Sequence, residues 1–282
     1  MKKRYLGIAA LVVLFAFVST ACGLSPSGEL LEKNIKNNVY LEGENLGGLK
    51  ESEALQKLKS YEAKLNIQPE NARLSTSSWE IAKVEKPGRK VNVKKTMDTL
   101  LNSTEGNKVS LAVEEVKPEI TSQKLGSGII EIGSYTTRLI DKQASRVNNI
   151  ELAAQKIDYK KLAPGEEFSF NKTVGRRTAA KGFEQAPIII RTQAGYKKGY
   201  GVGGGICQLA TTLYNAVEQS GMNITERHLH SKDVGYVPDG KDATVSYGSV
   251  DFRFKNNKNF PVMIRVYSGK NTLSVTLLEN RN

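Results

Sequence analysis

Two cysteines in a chain of 282 residues, Cys22 and Cys207, allow at most one internal disulfide, and the position of the first argues against even that one. Lys2, Lys3 and Arg4 open the chain, and Leu6 to Val18 is apolar and uncharged. That run is shorter than the roughly 20 residues a spanning helix needs. A basic start, a short apolar stretch and small residues ahead of Cys22 predict a signal peptide over residues 1–21. A cysteine at the processing point is unavailable to Cys207, so the fold must be held by burial alone. About 260 residues suffice for that, as two domains.

Ser19-Thr20-Ala21-Cys22-Gly23 resembles a bacterial lipobox, in which the cysteine is lipidated and becomes the new N-terminus; Ser19 stands where that pattern prefers an aliphatic residue. The expectation is lipidation of Cys22, with residues 22–37 as a polar tether on the outer face of the cytoplasmic membrane. Simple secretion and an uncleaved anchor are the alternatives. The formal charge of +12 falls to +9 once Lys2, Lys3 and Arg4 are removed. A basic exported protein suits anionic wall polymers, headgroups or carboxylate-bearing peptides, or is merely well solvated. Nucleic acid is not an expected partner outside the membrane.

Hydrophobic patterning predicts an α+β protein: a small α+β domain over 38–120, then a β-rich domain with a few helices over 129–282. In the first, Leu55, Leu58 and Leu65 recur at helical spacing after Ser52, and Asn92 to Leu101 reads as a second helix. Val109 to Val113 alternates like a strand, and 72–76 and 79–84 read as short strands. This part holds no cysteine, histidine or acid pair, which points to binding or spacing. Lys117-Pro118 to Gly128 reads as a linker. The second domain is expected to have helices at 145–157 and 207–220. Its strands are expected at 129–138, 186–191, 224–230, 244–247, 250–254, 262–267 and 272–278.

Cys207 closes the run Gly201-Val202-Gly203-Gly204-Gly205-Ile206, and both histidines of the chain, His228 and His230, follow within 25 residues. Leu209, Leu213, Ala216 and Val217 form a helical stripe ending at Gly221, so Cys207 lies near a helix N-terminus, where unpaired N–H groups favour a thiolate. Glycines before it can aim N–H groups at a carbonyl oxygen, as an oxyanion hole requires. A strand returning beside the helix would put Glu226, His228 and His230 on one face, level with the thiol. Asp233, Asp242 and Asp251 are the candidate carboxylates to orient a histidine. The competing reading is a buried structural cysteine at a helix start. Zinc would find only three ligands here, and no Lys-Ser/Thr follows the glycines as in a phosphate loop. No metal and no cofactor are expected.

From about Ser134 onward the chain resembles the VanW family. The resemblance is carried by Arg146-Val147-Asn148-Asn149-Ile150, Leu162-Ala163-Pro164-Gly165-Glu166-Glu167-Phe168-Ser169-Phe170-Asn171 and Gly203-Gly204-Gly205-Ile206-Cys207-Gln208. It continues through Glu226-Arg227-His228-Leu229-His230-Ser231, Tyr236-Val237-Pro238, Asp242-Ala243-Thr244-Val245 and Asp251-Phe252-Arg253-Phe254. Residues 38–120 resemble the peptidoglycan-binding-type domain that commonly precedes it, through Gly47-Gly48-Leu49, Trp79, Pro87-Gly88 and Lys117-Pro118. The resemblance implies work on peptidoglycan by cysteine-dependent acyl transfer, as an L,D-transpeptidase. Cys207 would be the nucleophile and His230, or second His228, the general base and acid. Gly203, Gly204, Gly205 and Ile206 would shape the oxyanion loop, and Arg176, Arg177 and Arg227 are candidates to grip substrate carboxylates. The alternative is a non-catalytic wall-binding adaptor lipoprotein.

Overall fold

The computed structural model describes residues 32–192 and 195–282. The expected signal peptide, Cys22 and its lipid, and the tether as far as residue 31 lie outside the described residues. In chain order the elements are β1 (Tyr40–Leu41), β2 (Glu44–Asn45), α1 (Glu51–Leu65), β3 (Arg73–Leu74), β4 (Ile81–Lys83), β5 (Gly88–Val91), α2 (Val93–Asn102), β6 (Lys108–Val109), β7 (Val113–Val116) and α3 (Ser122–Ser127). They continue as β8 (Ile129–Arg138), α4 (Ala144–Ile157), β9 (Lys161–Leu162), β10 (Glu167–Ser169), α5 (Phe170–Val174), β11 (Gln185–Thr192), β12 (Gly195–Val202), α6 (Ile206–Ser220), β13 (Asn223–Glu226), β14 (Arg253–Lys255), β15 (Val262–Ser268) and β16 (Thr272–Asn280). The α+β class expected from patterning is the one observed.

The chain forms two compact units. One runs up to Gln68 and resumes at Gly88–Val116; the other is Pro69–Pro87 with Lys117–Asn282. The excursion Pro69–Pro87 thus packs with the second unit, although it lies inside the stretch drawn as one domain from sequence. In the first unit, Ala54 and Leu58 of α1 meet Met97 and Leu100 of α2, over Ile35, Val39, Leu41 and Val109. Helix α2 starts where the Asn92 side chain accepts the Lys95 N–H at 2.8 Å, an N-cap. The strand expected over 109–113 divides into β6 and β7. The Leu111 N–H donates to Glu42 Oε1 and the Ala112 N–H to Thr96 Oγ1, which removes both from any ladder.

The second unit is built on an antiparallel sheet in the order β8-β16-β15-β9. Helix α6 lies against it and is buried from Gln208 to Val217 on every side. Its apolar stripe, Leu209 and Leu213 included, contributes roughly 1.5–3 kcal/mol per large side chain. The close approach depends on Gly133 of β8, where a Cβ would sit 2.3 Å from the Ala216 carbonyl oxygen. Ile150, Ala153 and Ile157 of α4 complete this core. A second sheet, β10-β14-β13, stacks Phe168 on Phe254 at 5.0 Å. The hairpin β11-β12 delivers the chain to the glycine run.

Three local expectations are corrected. The region 117–128 contains a helix, α3, whose N-cap Thr121 accepts the Lys124 N–H. Strand β13 stops at Glu226 after a register shift against β14. Between Arg227 and Phe252 the described chain has only a bridge, Ser246 to Val250. Side chains, not a ladder, hold this long segment, and it brings the second half of the candidate site to α6.

Candidate active site

The site begins where β12 ends. Gly205 caps α6 with φ 106°, and a Cβ there would lie 2.9 Å from Arg146 Cγ, so the position takes glycine. Cys207 is the second residue of α6. Four and eight residues on, Thr211 and Asn215 share its helix face. Thr211 Oγ1 accepts the Ala243 N–H at 3.0 Å and donates to the Ala243 carbonyl at 3.1 Å. Asn215 Nδ2 donates to the Lys241 carbonyl at 2.7 Å. These two polar side chains lay residues 241–245 along the helix. The Val245 N–H and Thr244 Oγ1 each come within 3.5 Å of Cys207 Sγ.

Asp242 sits in the middle of that strip. Its Oδ2 accepts both the backbone N–H and Nδ1 of His230, each at 2.6 Å. Nδ1 being engaged, Nε2 is left for the hydrogen bond between His230 and Cys207. The side chains of His230 and Asp242 are 10% and 11% exposed, so the pairing works in poorly solvated surroundings. Arg227 braces the strip from behind: Nε donates to the Asp242 carbonyl at 2.9 Å, Nη2 to the Gly240 carbonyl at 2.5 Å, and the guanidinium lies 4.0 Å over the Tyr214 ring.

The electrostatics follow from this arrangement. Burial pushes the Cys207 thiol up. The hydrogen bond and charge of His230, with the Val245 N–H and Thr244 hydroxyl, outweigh it and bring the thiol from 9.0 down to about 7. Burial pulls His230 down, but Cys207 and Asp242 raise it on balance. Burial raises Asp242, and the His230 N–H groups lower it further than that. The result favours a thiolate beside an imidazolium. Burial keeps the Tyr236 phenol protonated next to the thiol, well above its ordinary range. Asp242→Asn is expected to move the pH midpoint of Cys207 labelling by iodoacetamide upward from about 7, because the imidazolium loses its carboxylate.

Cys207, His230 and Asp242 are therefore brought together. The other histidine and carboxylates are not. His228 Nε2 pairs with Glu226 Oε1 at 3.0 Å. Asp233 accepts the Gly235 N–H. Asp251 is buried, bonded to Ser169 Oγ and the Asn171 and Phe252 N–H groups, where it fixes the start of α5. Of the oxyanion residues, the Gly203 N–H goes to Glu184 O, that of Gly204 to Gly201 O, and that of Ile206 to Gly203 O. Among the described residues the N–H groups of Gly205 and Cys207 carry no hydrogen bond, and these two are the free donors of the loop. The Gly204 carbonyl is tied down by buried Asn149 at 3.0 Å. Arg176 is exposed and Arg227 is engaged as above, which leaves Arg177 partly buried near the loop. Asn149 and Thr244 stand in the motifs quoted above, but neither they nor Thr211 and Asn215 have a role assigned from the sequence. The four-residue spacing of polar groups in an otherwise apolar helix is the signal that marks Thr211 and Asn215. Among the described residues no group of three His, Cys, Asp or Glu could hold a metal, and no helix is long and apolar enough to cross a membrane.

Comparison with known proteins finds two matching families along the chain. Residues 145–278 match the family described as "VanW like protein", and residues 30–110 match the "Putative peptidoglycan binding domain" family. The chain is 41% identical over 172 residues to "Uncharacterized protein YoaR" of Bacillus subtilis (strain 168), covering 61% of this chain and 55% of that protein. The chain thus spans about half the length of that curated relative. No solved structure matches it. Cys207, His230 and Asp242 all fall inside the matched region, and the chain carries a VanW-like domain behind a domain of the peptidoglycan-binding family.

Proposed function

We propose that the VanW-like domain is a cysteine acyltransferase acting on peptidoglycan stem peptides, an L,D-transpeptidase, in an exported protein tethered through lipidated Cys22. The two matched families support the coarser part: a cell-wall-associated role, peptidoglycan as a partner and a place in the cell envelope. The observation that carries the finer part is the Cys207–His230–Asp242 array, with its thiol near neutrality.

In this reading the Cys207 thiolate attacks the carbonyl carbon at the third residue of a stem peptide. The carbonyl oxygen takes up negative charge beside the free N–H groups of Gly205 and Cys207. As the tetrahedral adduct collapses, the C–N bond breaks and His230 passes its proton to the departing D-alanine amine. A thioester remains. An acceptor amine, or water, then attacks it; His230 takes the proton, the C–S bond breaks and the thiolate returns. Asp242 holds the ring with Nε2 toward sulfur throughout. The domain of the peptidoglycan-binding family would keep the catalytic domain on its polymer.

Incubation with stem tetrapeptides, followed by intact mass, tests this. The expected result is an adduct equal to the tripeptide acyl group, or a cross-linked product, that disappears in Cys207→Ala. A thiol labelled only after unfolding, with no adduct from any stem peptide, would return the domain to a wall-binding adaptor.

A further inference from the structure

We propose that Arg177 reads a free carboxylate on the leaving side of the scissile bond, so that the Cys207 site accepts only peptides whose last residue is to be removed. This rests on the acyl-transfer reading and adds the feature of substrate that selects the bond.

Arg177 follows α5, whose C-cap is Gly175. Its Nη1 donates to Asn171 Oδ1 at 2.7 Å and to the Gly175 carbonyl at 3.3 Å, and the guanidinium lies 5.7 Å from the Phe170 ring centroid. Asn171 is fixed in turn, with Nδ2 donating to Val250 O at 2.8 Å and its N–H donating to Asp251. The head group is thereby held on one side only. Its Nη2 is buried and has no hydrogen-bond partner. The stem of Arg177 lies against the catalytic loop: a Cβ on Gly203 would come 3.1 Å from Arg177 Cβ and Cγ. Burial pulls the guanidinium down from its ordinary range, and the first charge that opposes this is the Cys207 thiolate, ahead of Asp251.

A fixed cation with two unused N–H groups beside a nucleophile calls for a forked anion. In a peptide the nearest such anion to the attacked carbonyl is the carboxylate of a C-terminal residue, about one residue repeat or ~3.8 Å further along. Internal bonds and C-terminal amides offer none. The other arginines near the loop lack this combination. Arg146 Nη2 donates to Gln208 Oε1 at 2.9 Å and its buried unpaired donor is the single Nε–H, while Arg227 is engaged with the 240–242 backbone.

Two alkylating agents that differ only in a carboxylate test the charge recognition without requiring turnover. Both iodoacetate and iodoacetamide form a C–S bond to Cys207 and expel iodide. In Arg177→Gln the iodoacetate to iodoacetamide rate ratio at pH 7 is expected to fall about tenfold, the size of one charge-assisted contact. Arg177→Lys should retain part of the preference. In the unmodified protein, N-acetyl-D-alanine should slow labelling by iodoacetamide and N-acetyl-D-alaninamide should not. This arm needs no variant to fold. An unchanged ratio in the variants, or equal protection by acid and amide, overturns the proposal. A ratio that shifts while no stem peptide gives an adduct would keep carboxylate recognition and discard the transpeptidase reading.

Discussion

In a His230→Ala protein, Cys207 is expected to titrate above 9 instead of near 7. Burial alone raises the thiol, and His230 supplies both the largest opposing hydrogen bond and the opposing charge. At pH 7 the thiolate fraction then drops from about one half to about 1% or less. A more basic thiolate is intrinsically the better nucleophile, with a Brønsted slope of about 0.4–0.5. The two effects partly offset, so iodoacetamide labelling at pH 7 should slow only about five- to tenfold. The midpoint of the pH–rate curve is the decisive readout, and it should move by about two units or more. Stem-peptide turnover should fall much further, by a further ~10²–10⁴, because the departing amine loses its proton donor. A midpoint left near 7 would mean that the helix N-terminus and the Val245 N–H lower the thiol without help from the ring.

Asn149→Ala is expected to be the most damaging change to stability among the residues named here. The Asn149 side chain is fully buried. It donates to the Glu184 and Gly204 carbonyls at 2.9 and 3.0 Å and accepts the Glu184 N–H at 2.8 Å. Truncation strands the Glu184 N–H and the buried Gly204 carbonyl at roughly 1–3 kcal/mol each, while the Glu184 carbonyl keeps the Gly203 N–H. A loss of about 3–5 kcal/mol should lower the melting temperature of the second unit by about 10 °C, since ~1 kcal/mol corresponds to ~2–4 °C at this size. Differential scanning calorimetry checks it. Asn149→Asp keeps the shape but sets a buried carboxyl oxygen against both carbonyls, and should not recover the loss.

Much of this was legible in the chain because it is local. The helical stripe from Leu209, the stop at Gly221 and the glycines ahead of Cys207 predict α6, and the place of Cys207 at its start, within a residue. His230 could be favoured over His228, but three aspartates remained equivalent. The choice of Asp242 depends on Thr211 and Asn215 drawing residues 241–243 onto the helix, contacts across 26 to 32 positions of sequence. The expected strand through His230 failed because Arg227 turns to the carbonyls of Gly240 and Asp242 instead of continuing a ladder. The glycine loop is legible, but which of its N–H groups stay free is not, for a similar reason. A run of glycines says that N–H groups can be aimed, while the end of β12 decides which are already taken. Arg177 looked like Arg176 in sequence, and only Asn171, itself fixed from residue 250, distinguishes them.

Helix α6 and the segment opposite it differ in how they are held within one site. The sulfur rides on a helix wrapped by core from Gln208 to Val217, so its backbone amides can exchange with solvent only when the whole unit opens. His230 and Asp242 ride on a stretch from Arg227 to Phe252 pinned mainly by side chains. That stretch also seats Ala243 and Val245 in the core beside α6, so its hold on the site is side-chain packing and not a ladder. The groups that lower the Cys207 thiol all belong to that stretch, so the reactivity of Cys207 becomes a running report on whether this wall of the site is in place.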